Sequence, residues 1–361
     1  DALKHYVSGE NTLRLPAELD FAAVDRLTMV ACGTASYATH VAKYWFEQIA
    51  GLPAEIDIAS EFRYREPPLS DRSWAIFVSQ SGETADTLAA LRYAKERVAK
   101  VLSVVNVPTS SIARESDLSL PILAGVEVGV ASTKAFTCQL TVLALLALKA
   151  ALDRGRLDAA GVAEHLANLR NLPGFMNHAL ALSAPIAAIA EDLAEAQDVL
   201  FLGRGAMYPL ALEGALKLKE ISYIHAEGYA SGELKHGPIA LIDEKMPVIV
   251  IAPHDRIFEK TVSNMQEVAA RGGRIILITD QNDKTLESRF SVDIEKDGGA
   301  DGLQALRQKM PFAEAMTGRD ILTARGAAPV CDLLIRLDGR RDLPARLRAS
   351  LDSLARQAWP E

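Results

Sequence analysis

The sequence is poor in cysteine, has no excess of positive charge and contains no long apolar run. Its 361 residues include three cysteines, too few and too scattered for a disulfide framework or a cysteine-rich zinc site. Lys plus Arg number 39 against 47 Asp plus Glu, and a net charge of −8 argues against binding to nucleic acid. The longest apolar run, residues 140–151, is interrupted by Lys149 and is shorter than the ~20 residues that cross a bilayer. We therefore expect a cytoplasmic protein of two or three domains that contacts neither membranes nor nucleic acid.

Strand-like and helix-like segments alternate along the first 280 residues, which predicts an α/β fold with parallel sheets covered by helices on both faces. A strand, a glycine-containing turn and a helix occur near residue 27 and again about 170 residues later. The Ala- and Leu-rich stretch 140–195 between them is predicted to be helical. We place the first subdomain at 1–175 and the second at 176–295. The predicted strands are 27–32, 74–78, 101–105, 199–202, 246–252 and 275–279.

Residues 296–361 differ in composition from the rest of the chain. From Asp301 onward there are nine Arg and one Lys, whereas the preceding residues contain sixteen Arg and thirteen Lys. The one weak apolar run lies at 330–337, and a helix is predicted at 344–357. We treat this stretch as an atypical C-terminal segment.

A hydroxyl-rich turn follows the second predicted strand and opens a helix. Its glycine allows close backbone approach, and the helix N-terminus offers free N–H groups and partial positive charge. These features suit a phosphate monoester, although a simple helix-capping segment is the alternative. The turn reads Ser79-Gln80-Ser81-Gly82-Glu83-Thr84.

Two other turns carry small polar residues. Cys32, Gly33 and Thr34 end the first predicted strand, where open α/β sheets bind ligands. Val130 and Ser132 precede a predicted helix and suit contacts to a sugar. A tight turn and a helix cap are the respective structural alternatives.

A polar stripe on the predicted helix 208–222 is the candidate acid–base set. Glu213, Lys217 and Glu220 fall at i, i+4 and i+7 and share one face. His236 follows in a predicted loop, and His, Glu and Lys near a ligand crevice form a reasonable proton-transfer set. A solvent-exposed ion-pair stripe is the alternative. The sequence has neither metal-ligand spacing nor a dinucleotide fingerprint, so we expect no metal and no cofactor.

Taken together, these segments resemble the sugar-isomerase half of glucosamine-6-phosphate synthase, the glutamine–fructose-6-phosphate aminotransferase family. The resemblance covers about residues 27–280 and follows the family's order. It implies two sugar-isomerase (SIS) subdomains, each with a flavodoxin-like parallel sheet, and a homodimer. The most specific stretches are MVACGTASYATHVAKYWFE, VSQSGETADTLAALR, GVASTKAFTCQL and FLGRGAMYPLALEGALKLKEISYIHAEGYASGELKHGPIALID.

The resemblance also implies roles for individual residues. The substrate would be fructose 6-phosphate, with Glu220 as the base that moves a proton between C1 and C2. His236 would open the sugar ring and reach the site from the neighbouring subunit, with Lys217 and Glu213 as supporting residues. The phosphate cradle would comprise Ser79, Gln80, Ser81 and Thr84, and the sugar contacts Cys32, Gly33, Thr34, Val130 and Ser132.

Two departures from the family qualify that expectation. The glutaminase half that releases ammonia is missing, and the chain begins at Asp1, as a piece of a longer protein would. The resemblance ends near Asp293, and the family's tail, with the lysine that forms a Schiff base, is not found in the residues that follow. A shifted reading frame or a divergent C-terminus would each explain the break. We therefore expect isomerisation with impaired amination; a non-catalytic sugar-phosphate sensor and a ketosamine-6-phosphate deglycase are the alternatives.

Overall fold

The computed structural model of the protein describes residues 1–127, 129–280 and 321–323. Contacts divide the chain into two compact units, Asp1–Leu172 and Pro173–Glu361. Each unit contains a five-stranded parallel sheet.

The sheet of the first unit has the strand order β2-β1-β3-β4-β5, with every pair parallel. This is the flavodoxin-like order, in which the chain reverses direction across the sheet between β1 and β3. All seven residues of β3 are buried, as expected for a central strand covered on both faces. The elements of this unit are α1 (Ala2–Tyr6), β1 (Arg26–Ala31), α2 (Gly33–Gln48), β2 (Ala54–Ile58), α3 (Ala59–Arg65), β3 (Ser73–Ser79), α4 (Ala85–Lys95), β4 (Lys100–Val105), α5 (Ser111–Glu115), β5 (Leu118–Pro121), α6 (Lys134–Asp153) and α7 (Ala159–Arg170).

Helices pack on this sheet in two groups. Helices α3, α4 and α5 enclose a core in which Phe62 meets the ring of Phe77 edge-on at 6.5 Å and that of Tyr93 at 5.8 Å. Helix α6 packs against α2. It is long and apolar enough to cross a membrane, but about two thirds of its most apolar window is buried within the protein. Such burial is typical of the core helix of a globular domain.

The second unit repeats the same arrangement. Its sheet has the order β10-β9-β8-β6-β7, again parallel throughout, which is the flavodoxin-like order counted from β6. Alternate strand residues such as Leu202, Val250 and Leu277 pack with α11, and α10 packs against β6 and β7. The elements are α8 (Leu172–Leu180), which starts at the last residue of the first unit, α9 (Ser183–Leu193), β6 (Asp198–Gly203), α10 (Met207–Ser222), β7 (His225–Ala230), β8 (Pro247–Ile251), α11 (Phe258–Ala269), β9 (Arg274–Thr279) and β10 (Ile321–Thr323).

The predicted fold class is confirmed: both units are α/β with flavodoxin-like parallel sheets. All six predicted strands form, each within one residue of its predicted ends. Strands β2, β5, β7 and β10 were not predicted from the sequence. The last of these corrects the expectation that the one apolar run of the C-terminal segment lies at 330–337, because Ile321–Thr323 pairs with β9. The rest of the segment 296–361 lies outside the described residues, as do the run at 330–337, the helix at 344–357 and the end of the predicted second subdomain.

Candidate functional site

The first unit places two motif-bearing turns at the same edge of its sheet. Cys32 directly follows β1, and Ser79 is the last residue of β3, the strand paired with β1. The reversal of strand order lies between these two strands, where adjoining loops diverge and leave a crevice at the carboxyl ends. The topology therefore brings Cys32-Gly33-Thr34 beside the hydroxyl-rich turn.

A cavity of about 280 Å³ lies at this position. It brings together eight of the predicted binding residues: Cys32, Thr34, Ser79, Gln80, Ser81, Thr84, Val130 and Ser132. Gly33 is the first residue of α2 with φ +53° and does not line the cavity, and Glu213 belongs to the second unit. The remaining lining residues, which sequence reasoning did not single out, are Ala35, Val78, Thr87, Glu127, Gly129 and Gln139.

Hydrogen bonds within the hydroxyl-rich turn leave the hydroxyl of Ser81 and one hydroxyl of the Ser79–Thr84 pair able to donate to a ligand. The Ser79 hydroxyl accepts from the backbone N–H of Gly82 at 3.0 Å and lies 3.2 Å from the hydroxyl of Thr84. The Ser81 hydroxyl accepts from the backbone N–H of Glu83 at 3.2 Å. A hydroxyl that accepts from a backbone N–H still has its own O–H to donate, and in the Ser79–Thr84 pair one of the two O–H groups is used by the other hydroxyl. Thr84 is also the residue before the first turn of α4, whose free N–H groups favour an anion.

Gly82 fixes the shape of this turn. Its φ of +68° lies in the left-handed region, and a Cβ built there would sit 2.0 Å from the hydroxyl oxygen of Ser110. The adjacent Glu83 ties the turn to α5 by accepting from the backbone N–H of Ser111 at 2.7 Å. This hydrogen bond lowers the pKa of the Glu83 carboxyl. The turn is thus held by α5 as well as by its own hydroxyls.

The segment that leads into α6 forms another wall of the cavity. Glu127 accepts from the backbone N–H of Ala135 at 3.2 Å and from the hydroxyl of Ser132 at 3.4 Å. These bonds hold the turn that carries Val130, whose side chain is largely exposed. Gln139, one turn into α6, is 1% exposed and lies on the same cavity. No local pattern marks Gln139 in the sequence, because its place on the cavity depends on how α6 packs.

In the second unit, α10 presents the predicted acid–base residues on one face. The ammonium of Lys217 lies 2.5 Å from Glu220 Oε2 and 3.6 Å from Glu213 Oε1. Lys217 and Glu213 are fully buried, whereas the side chain of Glu220 is 27% exposed. The alternative of a solvent-exposed ion-pair stripe is therefore wrong for Glu213 and Lys217. An ammonium between two carboxylates orients the more accessible one, that of Glu220.

His236 lies in the same unit, after β7. Its segment was predicted to be a loop, but Ser231–His236 forms a 3₁₀ helix and Pro238–Leu241 a second one. Leu234 anchors the first 3₁₀ helix in the core, while His236 is exposed. The fold therefore presents the imidazole to solvent on a short, ordered element. Among the described residues there is no cluster of three or more His, Cys, Asp or Glu side chains that could hold a metal ion.

Comparison with known proteins places this architecture in a family. A family model described as SIS domain matches residues 20–149 and 192–312, one match within each unit. Two curated relatives are glutamine–fructose-6-phosphate aminotransferases [isomerizing]. The protein from Brucella abortus biovar 1 is 68% identical over 263 residues, or 73% of this chain and 43% of the relative. The protein from Bradyrhizobium diazoefficiens is 63% identical over 283 residues, or 77% of this chain and 46% of the relative.

A solved structure agrees with these matches. The C-terminal domain of glucosamine-fructose-6-phosphate aminotransferase from Francisella tularensis superposes with a TM-score of 0.80 at 39% identity. The match covers 98% of this chain and 91% of that domain. The chain spans less than half of the length of the curated relatives above, and the shared part carries the SIS domains. The chain therefore belongs to the SIS domain family and is similar to the isomerase part of the glutamine–fructose-6-phosphate aminotransferases.

Proposed function

We propose that the chain binds fructose 6-phosphate and isomerises it from ketose to aldose, as the synthase half of glucosamine 6-phosphate formation. The observation that carries this proposal is the cavity at the carboxyl ends of β1 and β3, whose walls hold the hydroxyls of Ser79, Ser81 and Thr84. Relatives at 63–68% identity are named for the same substrate.

The turn 79–84 would bind the phosphate. The hydroxyls of the turn and the N-terminus of α4 supply donors and a partial positive charge, and no Lys or Arg is among the described residues that line the cavity. Anchoring through the unreacting phosphate positions the reacting carbons. Cys32, Thr34, Val130 and Ser132 would contact the sugar. Gly33 would serve by setting the backbone of the turn between Cys32 and Thr34.

Glu220 would be the base of the isomerisation. It would take a proton from C1 of the open-chain ketose and return it to C2, while the hydroxyl proton on the C1 oxygen passes to the C2 oxygen. Together the two transfers turn the ketone at C2 into a hydroxyl and the alcohol at C1 into an aldehyde. Lys217 would orient this carboxylate through the contact at 2.5 Å, and Glu213 would hold Lys217 in place. His236 would exchange a proton with the ring oxygen when the sugar opens.

The family resemblance adds proposals about assembly and surroundings. The chain would form a homodimer in the cytoplasm, with His236 serving the site of the neighbouring subunit. Amination would be weak, because residues 294–361 contain no counterpart of the family's lysine-bearing tail. Losing that lysine would remove a covalent step rather than a single contact.

Incubating the purified chain with fructose 6-phosphate, with and without ammonium, tests the proposal. Glucose 6-phosphate and glucosamine 6-phosphate are measured separately. We expect glucose 6-phosphate in both incubations and little glucosamine 6-phosphate in either. If neither product forms while fructose 6-phosphate still binds, the chain is a sugar-phosphate sensor and the isomerase proposal is wrong.

A further inference from the structure

The side chain of Gln139 is a buried polar group on the wall of the cavity. Its residue is 1% exposed, yet its side-chain oxygen accepts no hydrogen bond from the described part of the protein. Buried amides in folded proteins are almost always paired, because leaving one unpaired costs free energy on folding. The oxygen itself is inaccessible as it is placed, but Gln139 lines the cavity, and a turn of its terminal amide would bring a polar atom to a ligand there.

Gln139 is separate from the group that would hold the phosphate. Ser79, Ser81 and Thr84 come from β3 and the turn after it, and their hydrogen bonds stay within that turn. Gln139 comes from α6, the helix packed against α2, which begins beside Cys32. Its amide is neutral, so it suits a hydroxyl better than an anion.

We propose that Gln139 is a sugar-binding residue of this cavity. Its side-chain oxygen accepts a hydrogen bond from a hydroxyl on the part of the sugar phosphate that the turn 79–84 does not hold. This inference rests on the proposed function and extends it: Gln139 makes the cavity prefer a polyhydroxylated phosphate ester over a bare phosphate. A site built to pair with a hydroxyl discriminates strongly against ligands that lack one, because the buried polar group is then left unpaired.

Titration calorimetry on the full chain tests this, with fructose 6-phosphate and inorganic phosphate as separate probes. Gln139→Met keeps the length of the side chain and removes its polar atoms. We expect it to weaken fructose 6-phosphate binding by about 10- to 100-fold, the usual effect of losing a buried hydrogen bond, and to leave phosphate binding unchanged. Thermal unfolding tests whether Gln139→Met is folded. If this variant is unfolded, Gln139→Leu is used in its place.

Ser103→Ala is the matched control. Ser103 in β4 is also buried with an unpartnered side-chain oxygen among the described residues, but it does not line the cavity. Its substitution removes an orphaned polar atom and is expected to leave both affinities unchanged. A change in this control equal to that in Gln139→Met would attribute the effect to the fold and overturn the inference.

The outcomes separate the role of Gln139 from the function on which it rests. If the unmodified chain does not bind fructose 6-phosphate, the proposed function fails and the role of Gln139 fails with it. If the unmodified chain binds it and Gln139→Met binds it equally well, the role of Gln139 alone is overturned. An equal loss for both probes would mean that Gln139 shapes the cavity as a whole, and would also overturn its role as a sugar ligand.

Discussion

At the scale of single residues, the shape of the hydroxyl-rich turn depends on Gly82. Any side chain there meets two penalties: the left-handed φ of +68° and the hydroxyl oxygen of Ser110, 2.0 Å from the point that a Cβ would occupy. We predict that Gly82→Ala destabilises the protein by about 3 kcal/mol. It should also weaken fructose 6-phosphate binding by more than about 10-fold, because the hydroxyls of the turn lose their arrangement. Urea unfolding and calorimetry measure the two effects.

Gly155 provides the control for the backbone penalty. Its φ is +64°, and a Cβ built there meets no atom within 4 Å. Gly155→Ala should therefore cost only about 1–2 kcal/mol, the penalty of the left-handed conformation, and leave ligand binding unchanged. If Gly82→Ala and Gly155→Ala lower stability and binding equally, the contact with Ser110 contributes nothing to the effect of Gly82→Ala.

Residue roles were only partly predictable from the sequence. The turn 79–84 was found because small hydroxylated residues and a glycine stand together between a strand and a helix. Glu127 and Gln139 were missed because each is a single polar residue whose place on the cavity depends on how α6 packs. Long-range packing of this kind leaves no local pattern in one sequence.

At the scale of elements, α10 carries a buried charge cluster whose stability depends on Lys217. Removing the ammonium leaves the fully buried carboxylate of Glu213 without the cation at 3.6 Å. We predict that Lys217→Met destabilises the second unit by about 3–5 kcal/mol, as breaking a buried ion pair does. Adding Glu213→Gln should recover most of the loss, because it removes the buried negative charge that Lys217 faces. Urea unfolding of the single and double variants measures this.

The exposed pair of Lys43 and Glu47 on α2 is the matched control, since it has the same i, i+4 spacing and lies at 3.8 Å. Both side chains are more than a third exposed, and such pairs contribute little. Lys43→Met should therefore change stability by less than about 0.5 kcal/mol. If Lys217→Met behaves like Lys43→Met, the cluster on α10 does not act as a buried ion pair.

Element prediction succeeded where strands are buried on both faces and failed at the sheet edges. Strands β1, β3, β4, β6, β8 and β9 read as apolar runs because helices cover them. β2 and β7 lie at partly exposed sheet edges and carry polar residues such as Glu55, Asp57 and Glu227. They therefore lack the continuous apolar run that marks a buried strand in the sequence. Only the pairing with β1 and β6 identifies these segments as strands.

At the scale of the whole molecule, the proposed homodimer makes a prediction about shared sites. If His236 serves the neighbouring subunit, Glu220→Gln and His236→Ala dimers are each inactive but still bind fructose 6-phosphate. A mixed dimer then has one site with both substitutions and one site with neither. After random exchange of subunits, half of the dimers are mixed, so about a quarter of the unmodified activity should return.

Sites built from a single chain would give a different activity on mixing. If His236 and Glu220 act from the same chain, every site in a mixed dimer lacks one of the two groups, and mixing restores nothing. Sedimentation first establishes that the chain is a dimer and that subunits exchange, and glucose 6-phosphate formation is then followed as the ratio of the two variants is varied. The fraction of mixed dimers is greatest when the two variants are present in equal amounts. Activity that peaks at this ratio therefore requires sites shared between subunits. A flat, inactive profile in an exchanging dimer would assign each site to one chain.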